Sequence, residues 1–223
     1  MGVRKTSPAI KVESEYQFDR TGGSPSLDFV NSISHRFSPE QRNEHLHSYG
    51  ALLSFLFQSQ LMNSGEAGRL AQQAMRHEDD ATRVLRRALR LREALFRTFR
   101  AFIKNQLTDA KDLEVINEQV TEAAKHRVLT PFSQKGRTQG GYLWRWSEDG
   151  EPELDRALWP IANAAAQLLA SPELEKVREC EAGDCEWLFL DVSRNQSRRW
   201  CDMKSCGNRE KARRHYSRMH GMG

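Results

Sequence analysis

The chain has 223 residues and a mass of 25.7 kDa, room for one sizeable core or for a core with a small module attached, which excludes a many-domain machine. Hydrophobic residues make up 38% of it, and Lys+Arg exceed Asp+Glu by only 34 to 30, so the net charge of +4 permits a nucleic-acid partner without demanding one. No stretch approaches the roughly 20 apolar residues of a membrane span, and the start MGVRKTSPAIKVESE lacks the apolar segment of a secretory signal, so a cytoplasmic protein without a membrane partner is expected.

Residues 1–14 read as disordered. Tyr16-Gln-Phe18 is a candidate edge strand. Ser24-Pro25 opens a helix, with Ser as cap and Pro in the first turn, and Leu27, Val30, Asn31 and Ser34 follow at helical spacing. A second helix is expected over Ser48–Leu61. Two more lie between Ser64 and Gln106, broken near Arg76-His77-Glu78, and a fifth over Thr108–His126 with Thr108 or Asp109 as cap. The period then drops to two residues: Arg127–Phe132 and Gly141–Trp146 predict a hairpin whose face of Tyr142, Trp144 and Trp146 should be buried against helices. Helix returns over Pro152–Ala170, and Ser171-Pro172 marks its end. Residues 15–178 therefore form a mainly α domain with a small β-hairpin or sheet.

All four cysteines fall after that point, as Cys180-EAGD-Cys185 and Cys201-DMKS-Cys206. In a reducing compartment such paired, closely spaced cysteines read as metal ligands, and four thiolates satisfy a structural Zn²⁺. The residues between the pairs suggest a hairpin of Glu186–Asp191 and Arg198–Trp200 around the turn SRNQS. After Cys206 a helix follows, with Ala212, Tyr216 and Met219 as a stripe that should pack on Trp187, Phe189 or Trp200. Knuckle, hairpin, second knuckle and helix make a treble-clef-like four-cysteine zinc finger over 179–223. His215 and His220 are competing ligands, and His35, His45 and His47 beside Glu44 a remoter second metal group.

The run CEWLFLDVSRNQSRRWCDMKSCGNREKARRHY resembles the CGNR zinc-finger family, which takes its name from the tetrapeptide Cys206-Gly207-Asn208-Arg209. GGSPSLDFVNSISHR at 22–36 is similar to the start of the ABATE-type domain that precedes this finger in bacterial proteins. The resemblance implies a mainly helical domain joined to a zinc finger in a stress-induced transcription regulator, with Cys180, Cys185, Cys201 and Cys206 holding the metal.

The positive charge is concentrated in this finger: residues 1–179 carry 25 basic against 24 acidic side chains, whereas 194–218 carry nine against two. Arg194, Arg198, Arg199, Arg209, Lys211, Arg213, Arg214 and Arg218 are candidate DNA contacts, able to neutralise phosphates and reach guanine edges. One small finger binds weakly, so a homodimer formed through the helical domain is expected. Asp28, Asn31 and Arg92 are polar residues on otherwise apolar helix faces. They either line a pocket for a small-molecule effector or form an internal ion pair and capping network. The chain shows no Gly-rich phosphate loop, no HExxH and no cysteine left over for a nucleophile, so no enzyme is expected. A zinc module for protein contact, and a small-molecule-binding or catalytic helical domain with the finger as a structural tail, are the alternatives.

Overall fold

The computed structural model describes residues 16–134, 137–147 and 153–219; the segment expected to be disordered lies outside them. In chain order the elements are α1 (Pro25–Val30), β1 (Ile33–Ser34), β2 (Asn43–Glu44), α2 (Tyr49–Gln58), α3 (Ser64–Arg76), α4 (Glu78–Ile103), α5 (Ala110–Lys125), β3 (Arg127–Gln134), β4 (Arg137–Trp146), α6 (Trp159–Leu169), β5 (Val177–Glu179), β6 (Leu188–Leu190) and α7 (Asn208–Met219). Each sheet has only two antiparallel strands, β1–β2, β3–β4 and β5–β6, so the fold is mainly α.

The helix starts follow local chemistry. Ser48, Asn63 and Asp109 each accept a hydrogen bond from a first-turn N–H, of Ala51, Glu66 and Lys111, while Ser24 is extended and hands over to Pro25. His77 separates α3 from α4 at the expected break. The 26-residue α4, about 39 Å long at 1.5 Å per residue, is the spine of the body. Its buried face, including Val84, Leu91, Leu95 and Phe99, packs with α1, α2, α3 and α5 around Phe29, Leu52 and Phe55.

Several expectations are corrected. Tyr16–Phe18 forms no strand: Gln58 Nε2 donates to Tyr16 O and Phe18 N donates to Gln58 Oε1, so a side chain satisfies the backbone that a ladder would have used. The first helix stops at Val30, and Ser34 lies in β1. Helix over Pro152–Ala170 begins as a 3-10 turn at Leu154–Ala157 before α6. The hairpin strands run further than expected, and the aromatic face is not buried: Tyr142 is 63% and Trp144 58% exposed, and only Trp146 reaches the body, 5.9 Å from the Trp159 ring. A two-stranded ribbon has no second layer of its own, so the face is covered only where the hairpin leaves the helices.

Between the knuckles, β6 does not pair with Arg198–Trp200. It pairs with β5, Val177 opposite Leu190 and Glu179 opposite Leu188, so the first knuckle is the loop of this hairpin. An expected domain break at 178/179 falls inside β5. Alternation along β6 gives the strand two faces: Leu188 and Leu190 belong to the helical core, Phe189 to a small cluster with the cysteines. The two halves therefore share one strand.

Candidate metal centre and basic helix

The finger is held against the body by groups from the motif at 22–36. The buried Asn31 side chain donates from Nδ2 to Leu188 O at 2.8 Å and accepts at Oδ1 from Leu188 N at 2.9 Å, completing the free edge of β6. Leu190 N donates to Gly22 O at 2.8 Å and Trp187 Nε1 to Ile33 O at 3.0 Å. Asp28 accepts from Gly22 N at 2.9 Å, and a Cβ on Gly22 would lie 2.6 Å from that carboxylate oxygen. Burial pushes the Asp28 carboxyl up to about 7, offset only in part by the Gly22 N–H. Gly23, with φ of +76°, turns the chain where its own Cβ would meet Leu190 at 3.3 Å.

Asp28, Asn31 and Arg92 thus each take a different partner, Gly22, Leu188 and Glu44. Arg92, 1% exposed at its side chain, forks onto both Glu44 oxygens at 2.6 Å and bonds Glu93 at 3.0 Å, in a charged cluster that Arg36 completes. The same cluster occupies Glu44, and His45 lies 3.0 Å from Ser34 Oγ and stacked on Tyr16, so the histidine group near it is not assembled around a metal.

The cysteines are assembled. The Sγ atoms of Cys180, Cys185, Cys201 and Cys206 all lie within 4.8 Å of one another, the Cys185–Cys201 and Cys201–Cys206 pairs at 3.7 and 3.6 Å. A tetrahedron with Zn–S bonds of about 2.3 Å has S···S edges of about 3.8 Å, so the four sulfurs are at the spacing of one Zn²⁺. They share no disulfide. Two donors offset the charge of −2 that four thiolates and the metal carry: Cys201 N points at Cys180 Sγ (3.4 Å) and Arg209 at Cys206 Sγ (3.3 Å). His215 is exposed on α7, away from this closed set, and His220 lies outside the described residues.

The second knuckle is a π-type turn over Met203–Gly207 whose start Asp202 caps by accepting from Ser205 N. A Cβ at Gly207 would lie 2.5 Å from Met203 Sδ, so an alanine at this position of the CGNR tetrapeptide would have to push aside the end of the half-exposed Met203 side chain. The turn leads into α7, which buries no residue; Tyr216 and Met219 are 59% and 71% exposed. The Ala212, Tyr216 and Met219 stripe is therefore left exposed, not buried on the finger as expected. Ion pairs hold the helix instead: Asp184 in the first knuckle takes Arg209 and Arg213, both at 2.8 Å. Sequence reasoning missed Asp184, although an acid just before Cys185 and two arginines one turn apart were a visible signal.

The basic residues now fall into groups. Arg198 is a building element: it donates to Trp200 O, Cys201 O and Thr21 O, lies 4.5 Å over the Phe189 ring, and its N–H meets Asp191, which shapes the 191–198 loop. Arg199 pairs with Glu181, and Arg209 and Arg213 with Asp184. Arg194, Lys211, Arg214 and Arg218 are exposed and have no carboxylate partner among the described residues.

A helical body sharing a strand with a four-cysteine finger defines a two-part zinc protein. The family model ABATE, described as "Putative stress-induced transcription regulator", matches residues 23–172, and the model of the CGNR zinc finger matches 176–219. The chain belongs to the ABATE family and carries the CGNR zinc finger after it. None of the curated proteins matches it. No described helix is long and apolar enough to cross a membrane.

Proposed function

We propose that the protein is a transcription regulator that contacts DNA with α7 and the adjoining 194–200 loop. The observation that carries this reading is the state of α7: it buries nothing, presents five Lys or Arg against one acid, and is fixed to the metal knuckle through Asp184. At 12 residues it is about 18 Å long, enough to cross a major groove. Lys211, Arg214 and Arg218, with Arg194 from the loop, are the phosphate contacts. Arg209 and Arg213 orient the helix, although exposed ion pairs are weak enough for Arg213 to exchange Asp184 for a phosphate.

Four neutralised phosphates give a salt slope near −3.6 in log K against log salt, and few contacts make one copy a weak binder. A dimer reading two half-sites supplies the remaining affinity. The experiment is a salt titration of binding to mixed DNA fragments, comparing wild type with Lys211→Ala/Arg214→Ala/Arg218→Ala. Reduced affinity and a slope shallower by about 3 support the reading. Unchanged binding and slope transfer the finger to protein contact, which the exposed Tyr216 and Met219 would then serve.

A further inference from the structure

The register of the β3–β4 hairpin sorts its apolar side chains by face. Leu129 lies opposite Trp144 and Pro131 opposite Tyr142 on one side of the ribbon; Val128 opposite Arg145, Thr130 opposite Leu143 and Phe132 opposite Gly141 on the other. On the first face Leu129, Tyr142 and Trp144 are 56%, 63% and 58% exposed and Pro131 is exposed with them, whereas Val128, Phe132 and Leu143 on the second lie between 38% and 44%. The first face meets the body at its base, where Arg127 donates to Asn163 Oδ1 and Trp146 reaches Trp159. A two-stranded ribbon is marginally stable in water unless a further layer packs on it, so a face bared this far calls for a cover.

The chemistry of the face selects that cover. Arg127 lies at the base, 4.6 Å over the Trp144 ring and tied to Asn163, and Arg145 stands on the other side of the ribbon, so Leu129, Pro131 and Tyr142 form an outer part without charge. An uncharged patch suits neither a phosphate backbone nor an acidic peptide. It suits another apolar face, and it is complementary to itself: one column, Leu129 and Pro131, is aliphatic, and the other, Trp144 and Tyr142, is aromatic. A two-fold axis parallel to the strands lays each column on the other, Leu129 against Trp144 of the partner subunit and Pro131 against Tyr142 of the partner subunit. Pairing of one patch with itself about such an axis is the commonest way a chain forms a closed oligomer.

We propose that the chain forms a symmetric homodimer by packing these two hairpin faces together. With roughly 150–250 Å² for a wholly bared aromatic side chain, the four residues at their observed exposures offer on the order of 400 Å² per protomer. An interface of standard size buries about 800 Å² per partner, somewhat over half of it apolar, so the patch supplies the apolar centre of one and the flanking polar groups its rim. As the source of two DNA half-sites the dimer rests on the reading of α7 as a DNA contact; as an interface it is independent of that reading.

The test is sedimentation equilibrium of the zinc-loaded full chain without DNA, beside Tyr142→Glu and Leu129→Lys in the face and Leu143→Glu on the other side of the ribbon, with thermal midpoints measured to show that the variants fold. All three positions are exposed, and either face variant suffices should the other fail to fold. The wild type should be a dimer with a Kd in about the micromolar range. Tyr142→Glu and Leu129→Lys should each raise that Kd at least about thirtyfold, the loss expected at the centre of an interface, while Leu143→Glu changes it less than about threefold. Lys211→Ala/Arg214→Ala/Arg218→Ala should dimerise as the wild type does, so failure of the interface and failure of DNA contact by α7 are read separately. The proposal is overturned by a wild type that stays monomeric up to about 100 μM, which leaves the face to a different protein, by a Kd unchanged in the face variants, or by equal weakening in Leu143→Glu.

Discussion

Replacing Asn31 with Ala tests how the finger is attached. The side chain satisfies both backbone groups of Leu188 on the edge of β6 that β5 does not reach, and residue and strand are buried. Removing it strands one N–H and one C=O in the core. At about 1–3 kcal/mol for each unsatisfied group, the loss is roughly 2–6 kcal/mol, a large part of the about 5–15 kcal/mol by which a domain is stable. Asn31→Asp separates the two bonds: it keeps an acceptor for Leu188 N but sets a second acceptor against Leu188 O, and places a charge in the core. It should cost at least as much as Ala although it is nearly isosteric. Urea unfolding of the zinc-loaded protein gives the free energies, and the rate of zinc capture by a chelator reports whether the finger loosens first. Both variants should release zinc faster than wild type. Stability of Asn31→Ala within about 0.5 kcal/mol of wild type, the range of an ordinary surface change, would refute the reasoning.

Other consequences can be measured alongside. The Asp28 carboxyl is raised from 3.8 to about 7, so between those values the folded chain holds a proton that the unfolded chain has lost, and stability falls as pH rises through that window, by on the order of 4 kcal/mol in all. Asp28→Asn keeps an acceptor for Gly22 N and should flatten that fall, becoming the more stable form at pH 8; parallel pH profiles of the two proteins would contradict this. Zinc analysis should give one equivalent, reduced in Cys201→Ser, and metal removal should lower the melting temperature of the helical body as well, because Leu188 and Leu190 are part of its core. Gly207→Ala should weaken zinc retention modestly, since the added methyl displaces the end of the Met203 side chain, and Met203→Ala should restore it. Retention equal to wild type would remove packing as the reason for that glycine.

The helices were legible because their signals are local. Ser48, Asp109 and the pair Ser24-Pro25 announce their helices within a turn, and the cysteine spacing announces the metal without a fold. What the sequence concealed depends on partners distant along the chain. Asn31 reads as one more polar residue on a helix, and its meaning lies 157 residues away at Leu188. Alternation in Tyr142, Trp144 and Trp146 shows that they share a face but not whether anything covers it. Arg198 and Arg214 look alike as sequence, yet one holds the 191–201 backbone together while the other is exposed on α7, 6.0 Å over the Trp200 ring and without a carboxylate partner among the described residues. Charge counting locates a basic segment; it cannot sort builders from contacts.

Strand β6 also constrains how such a protein can vary. Its three residues alternate between two interiors, so inserting or deleting one residue in the 186–189 stretch would rotate Phe189 into the helical body and turn the leucines toward the thiolates. Both interiors would be mispacked by the same slip. The finger therefore cannot be exchanged as a cassette at the first cysteine; a graft that keeps the fold has to carry Val177–Leu190 with it, together with an Asn at the position of Asn31.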